Sequence, residues 1–470
     1  MAEVRRTSWE SAIPIGSGLV WLIWGAAASP TGFVFSVVPG CLLLSGGVSQ
    51  VWLPKDARTL QMSALGGAIG MVTALPMLFV VGFFGGLWLL ALAAASVVAS
   101  GWTSQSRQVP VAGVPEPALN LRLAAKVGLD EAILATVPVA RRGFASLDTG
   151  RVAEEVRVAH QLFQQQGWIE KPRSFHVDPP DLVSPRISWK ETRGLRFEHL
   201  AFESEYEPPP GAPGHERWLG YAANRTAHAW VVRDGEGPRP WLVCIHGLGM
   251  GIPLLDFTAF AAQRLHRELG LNLLFPVLPL HGPRKTGLRS GDGFIGGDLI
   301  DTINAEAQAI WDIRRLLSWV RADGAESVGV YGLSLGGYAA ALLSGLDDDL
   351  ACVIAGVPAV DFLRGESRLS VPSIRRDMER LGLEWSDVGE LMRVISPLAI
   401  EPLLPRERCF LFAGTVDRLV TADQPRDLWK HWGEPQMTWY HGSHLSFRRE
   451  PMVQKLVDRA LREWRLGPMT

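Results

Sequence analysis

Residues 11–54 contain no Asp, Glu, Lys or Arg, and after a short charged patch (Lys55, Asp56, Arg58) neither do residues 59–106. A helix packed against one side of a soluble core keeps a charged outer face, which these stretches lack. Each is long enough for two membrane crossings, since a helix rising about 1.5 Å per residue needs about 20 residues to cross the hydrocarbon. SPTG at 29–32 interrupts the first stretch and VGFFGG at 81–86 the second, which places four spans near 12–28, 33–53, 60–80 and 84–102. Pro39, Pro76 and the internal glycines are tolerated better in such helices than in soluble ones. Arg5 and Arg6 precede the first span, Lys55 and Arg58 separate the second from the third, and Arg107 follows the fourth, while the other two turns carry no cation. By the positive-inside rule these three segments are cytoplasmic, and an even number of spans leaves the rest of the chain there too. A cleavable signal peptide would leave the following uncharged sequence unexplained.

The remaining chain reads as soluble. In 470 residues, 46 Lys+Arg against 48 Asp+Glu give a net charge of −2, which argues against a partner held by phosphate contacts such as a nucleic acid. Cys41, Cys244, Cys352 and Cys409 lie in apolar runs without metal-ligand spacing and read as buried free thiols. A linker and helical approach segment, 107–186, follows the membrane module, 1–106. Its Pro-rich QVPVAGVPEP (108–117) is semi-extended. The next stretch sets Leu119, Leu123 and Val127 on one helical face, expected to pack on the soluble domain rather than lie against the bilayer, and RVAEEVRVAHQLFQQQGW is a further helix.

From about residue 187 to 470 the texture is alternating strand and helix. GLRFEHLAFESEY and AHAWVVRD read as strands near a sheet edge. PWLVCIHG, LNLLFPVLPL, SVGVYG, LACVIAGV and RCFLFAG are short β-rich runs, several of them almost wholly apolar. Strands of that kind are buried on both faces, with helices such as AEAQAIWDIRRLLSWVRADG between them, so the expected fold is a doubly wound, mostly parallel α/β sheet.

One of those strands runs into SVGVYGLSLGGYAAALLSG (327–345), where Gly332, Ser334 and Gly336 fit G-x-S-x-G between a strand and a helix. In that context the pattern is a nucleophile elbow, its glycines sparing a sharp turn from clashes while the serine stays exposed at a helix N-terminus. HGLG (246–249) ends an earlier strand, LFAGTVDRLV sets Asp417 just beyond a later one, and WYHGSHLSF sets His444 in a loop after the last. With these four motifs in this order, residues 187–465 resemble the α/β-hydrolase superfamily, with its serine esterases and lipases. The resemblance implies a Ser-His-Asp triad of Ser334, His444 and Asp417, and an oxyanion hole from the backbone N–H groups of Leu335 and Leu248, with Gly249 the less favoured donor.

Those roles have rivals. Asp361 in GVPAVDF also follows a strand, His441 lies near His444 but reads as a packed residue, and His246 reads as a hydrogen-bonding member of its loop. The resemblance also implies a helical cap over 362–405. HGPRKTGLRSGDG gathers Arg284, Lys285 and Arg289 in a Gly-rich loop read as solvated, with contact to an anionic head group as the alternative. The expected function is a membrane-anchored hydrolase of a carboxylic ester, lipid-like or otherwise hydrophobic in its acyl part, with the bilayer as its other partner. A thioesterase or acyltransferase would use the same residues, and a membrane-anchored binding or scaffold protein on this fold is the non-enzymatic alternative. A transporter finds no intramembrane charge to work with. No metal or organic cofactor is implied.

Overall fold

The computed structural model describes residues 9–141, 148–233, 239–295, 298–364 and 379–464. The chain forms two compact units. One comprises Met1–Gly143, Gly414–Ala422 and Trp439–Arg449, and the other Phe144–Ala413, Asp423–Thr438 and Glu450–Thr470.

The first unit is built on five helices: α1 (Trp9–Ala28), α2 (Pro30–Trp52), α3 (Ala57–Val80), α4 (Phe83–Ser106) and α5 (Leu121–Arg141). The first four are long and apolar enough to cross a membrane. Ser29 caps α2 by accepting the Gly32 N–H, and Asp56 caps α3 by accepting that of Arg58, so each turn supplies its own stop and start. Inside the bundle Trp21, Leu43, Ala74, Met77, Leu89 and Ala93 form a common core, whereas Val72, Leu75, Phe79 and Phe84 are exposed. An apolar exterior around a packed interior suits lipid as solvent. The exposed set includes Cys41, which corrects its reading as a buried thiol; Cys244, Cys352 and Cys409 are buried.

Helix α5, expected on the soluble domain, packs instead against α3 and α4. The α4 crossing is close because both helices present glycine. A Cβ on Gly101 would lie 1.9 Å from the Ala124 carbonyl oxygen, and one on Gly128 would lie 2.2 Å from that of Val97. Leu123 and Val127 are buried together with Val416, while Leu119, assigned to the same face, is exposed.

The second unit is organised by a nine-stranded sheet in the order β1-β2-β3-β5-β4-β6-β7-β8-β9. The strands are β1 (Arg186–Thr192), β2 (Leu195–Glu203), β3 (Thr226–Val232), β4 (Trp241–Ile245), β5 (Asn272–Val277), β6 (Val328–Leu333), β7 (Cys352–Gly356), β8 (Cys409–Gly414) and β9 (Gln436–Tyr440). The first three pair antiparallel, β3 pairs antiparallel with β5, and β5, β4, β6, β7 and β8 run parallel to one another. This is the doubly wound sheet of the α/β-hydrolase fold. Every residue of β4, β5, β6, β7 and β8 is buried, as apolar strands covered by helices must be. One strand, β1, was absent from the sequence expectation. It is exposed along nearly its whole length, with Arg and Lys on an edge, and so carries no burial signal.

Helix α6 (Thr149–Gln165), capped by Asp148 through the Arg151 N–H, adds Val152, Val156 and Phe163 to the sheet's core. Of the expected cap, residues 365–378 lie outside the described residues. The described helix Trp385–Met392 packs against α6 and buries Val388 and Leu391 in the same core. The Gly-rich loop after β5 departs from the solvated reading at one residue. Lys285 and Arg289 are exposed, but Arg284 is fully buried, paired with Asp312 at 2.8 Å and donating to the carbonyls of Val277 (2.9 Å) and Asn224 (3.0 Å).

Candidate active site

Ser334 stands between β6 and the helix Leu335–Leu343 with φ +57° and ψ −112°, a conformation L side chains rarely adopt. Its N–H donates to the Gly356 carbonyl of the neighbouring strand at 2.9 Å, and its carbonyl accepts from Tyr338 at 3.0 Å, so the strained residue is held from both sides. The turn is too tight for side chains around it. A Cβ at Gly332 would fall 1.9 Å from the Gly336 carbonyl oxygen, and one at Gly336 1.9 Å from that of Ile245. Leu335 opens the helix, where an N–H has no acceptor within the helix itself.

The HGLG turn lies beside this elbow, since a Cβ on Gly247 would lie 3.5 Å from that of Ser334. Leu248 is half exposed and Gly249 has φ +81°, a left-handed conformation that favours glycine. His246 anchors the loop. Its Nδ1 donates to the Gly247 carbonyl at 2.8 Å, and its Nε2 accepts from the Leu278 N–H at 3.1 Å. Burial first of all, with the charge of Arg284, lowers its pKa to about 4 against the opposing bond to Gly247, so the ring is a neutral structural link.

Asp417 and His444 belong to the helical unit, in the loops that follow β8 and β9. These loops are stitched together by Thr415 N–H to the Tyr440 carbonyl (3.0 Å) and Val416 N–H to that of Gly442 (3.3 Å). The stitching brings His444 Nδ1 to 2.6 Å from Asp417 Oδ2. Asp417 Oδ1 accepts the N–H groups of Leu419 and Val420, each at 2.9 Å, which fixes the carboxylate; both side chains are buried. Burial alone would depress the imidazole, but the charge and hydrogen bond of Asp417, joined by the charge of Asp130, raise its pKa above the ordinary value.

The rivals have other partners. Asp361 accepts from the N–H groups of Leu363 and Arg364 and pairs with the Arg364 guanidinium at 2.9 Å. His441, expected to be packed, is exposed, and its Nδ1 lies 3.5 Å from the Thr415 hydroxyl. Sequence reasoning missed Asp130, whose Oδ2 accepts the backbone N–H groups of His444 (3.0 Å) and Arg418 (3.1 Å), and Glu131, which pairs with Arg418 at 3.0 Å. The available signal was two acids one turn past Val127 on the face that buries Leu123.

No protein-family model matches the chain. In the fold comparison, an acetyl xylan esterase from a Paenibacillus species aligns at 16% identity over 62% of this chain and 93% of its own, with a TM-score of 0.45. An acetyl xylan esterase from a Thermoanaerobacterium species aligns at 17% identity over 63% and 98%, with a TM-score of 0.41. Among curated sequences, the uncharacterized proteins MT2702 and Rv2627c of Mycobacterium tuberculosis are each 40% identical over 368 residues, covering 78% of this chain and 88% of theirs. At that identity and coverage the chain belongs to the same family as these two mycobacterial proteins, on an α/β-hydrolase fold.

Proposed function

We propose that the protein is a membrane-anchored serine hydrolase that cleaves a carboxylic ester through an acyl-enzyme. The observation that carries this reading is the buried His444–Asp417 pair at 2.6 Å in a chain whose Ser334 is held at a strained strand-to-helix turn. A neutral hydroxyl is a weak nucleophile, and an oriented imidazole is what activates it. In the proposed reaction His444 Nε2 takes the Ser334 proton as Oγ attacks the acyl carbon, while Asp417 holds the tautomer and offsets the imidazolium charge. The N–H groups of Leu335 and Leu248, or Gly249, meet the developing oxyanion, each such donor contributing about 3–4 kcal/mol. The imidazolium then protonates the leaving alcohol, and water, activated by the same histidine, releases the acid.

Four helices of membrane-crossing length favour an ester with a hydrophobic acyl part, met at the bilayer. The cation pattern favours a cytoplasmic hydrolase part. The test is fluorophosphonate labelling of the detergent-solubilised chain. Wild type should be labelled and Ser334→Ala should lose the signal entirely. A folded wild type that stays unlabelled would favour the binding or scaffold alternative and end the enzyme reading.

A further inference from the structure

Helix α5 delivers two adjacent acids to the loops that carry Asp417 and His444. A single oxygen of Asp130, Oδ2, accepts from the backbone of His444 and from that of Arg418, the residue after Asp417. One carboxylate thus ties together the chain on both sides of the 2.6 Å His–Asp contact. Its neighbour Glu131 secures the arrangement, taking the Arg418 guanidinium and the hydroxyl of Ser104 on α4 through Oε1. Asp130 is fully buried and its other oxygen, Oδ1, has no partner. Packing alone does not account for such a group, because an unpaired buried oxygen costs stability that an apolar residue like Leu123 or Val127 on the same face would not. Negative charge is useful here for a different reason: the neighbouring imidazole has to become a cation during turnover.

We infer that Asp130 is a positioning residue for the His444–Asp417 pair, holding both loops through two backbone N–H groups and placing a second negative charge near the imidazole. The inference rests on the serine-hydrolase reading above. The charged groups around His444 are Asp417 from its own loop and Asp130 from α5, with Glu131 and Arg418 beyond them and Lys126 donating to the His441 carbonyl at 3.4 Å. Burial, then the charge of Asp417, push the Asp130 carboxyl itself up to about 7, so above that pH its charge helps to raise the His444 pKa, and removing it should let the imidazole lose its proton at lower pH.

The experiment measures the rate of fluorophosphonate labelling at Ser334 in the full-length solubilised protein, across pH values on both sides of neutrality. Asp130→Asn keeps an oxygen that can accept both N–H groups but carries no charge, so the acidic limb of its profile should move to lower pH. Asp130→Ala also leaves the two N–H groups without an acceptor, and labelling should slow about tenfold or more at all pH values, the scale expected for a misplaced catalytic group. If the alanine variant fails to fold, the limb of the asparagine variant decides alone. An unmoved limb in Asp130→Asn, with or without a slower rate, marks Asp130 as packing and overturns the inference while leaving the hydrolase reading intact. Absence of labelling in folded wild type overturns both.

Discussion

At the scale of the residue, the raised pKa of His444 sets the direction of the pH response. The proposed base works only as neutral imidazole, and a pKa raised by Asp417 and Asp130 keeps it protonated to higher pH than an unperturbed histidine with its pKa of 6.5. The labelling rate of Ser334 should therefore rise with pH along a limb lying above that value, and a limb at or below it would contradict the assigned partners. Asp417→Asn should lower the rate by roughly a thousandfold or more, since the amide neither fixes the reactive tautomer nor offsets the imidazolium. Ser334, Gly332 and Gly336 were legible because an elbow is a local object, each glycine answering a clash within a few residues or with the next strand. Asp130 was not legible, since its two donors lie 288 and 314 residues away in the chain. Arg284 misled for the opposite reason: a Gly-rich neighbourhood suggests solvent, whereas its guanidinium turns inward to Asp312 and two carbonyls.

At the scale of the element, α5 matters through how closely it approaches α4. Gly128 is a spacer, with the Val97 carbonyl where a side chain would be. Gly128→Val should displace α5, and with it Asp130 and Glu131, so both the melting temperature of the solubilised chain and the labelling rate of Ser334 should fall. Gly16→Val is the control, because nothing lies within 4 Å of the position its Cβ would take, and it should leave both unchanged. Among strands, legibility followed burial. The apolar runs of β4, β5, β7 and β8 announced themselves because water is excluded from both of their faces. The sequence RISWKET of β1 has Ile187 and Trp189 exposed among charges, and only pairing with β2 makes it a strand. The four long apolar helices begin and end within a few residues of the stretches expected, since the charge-free runs and the turns that break them are local features of the sequence.

At the scale of the whole molecule, the helical unit contains the two loops from which the proposed acid and base project. A chain lacking residues 1–147 keeps the sheet, its core and α6, but loses Asp130, Glu131 and the apolar partners of Val416. Such a chain should give a cooperative melt of the sheet while its Ser334 labels at least about tenfold more slowly than full-length protein. Full-rate labelling would show that the hydrolase part assembles its own site unaided. The helical unit is drawn from three separate stretches of sequence, two of them far downstream of the first. A ribosome releases the four long apolar helices hundreds of residues before Gly414–Ala422 and Trp439–Arg449 exist, and domains generally fold as they emerge. The early helices must therefore wait, with the seat around Asp130 unfilled, until those two stretches have been made. Nascent chains stalled before those two stretches are made should therefore leave Ser334 unlabelled, whatever the state of the helices already released.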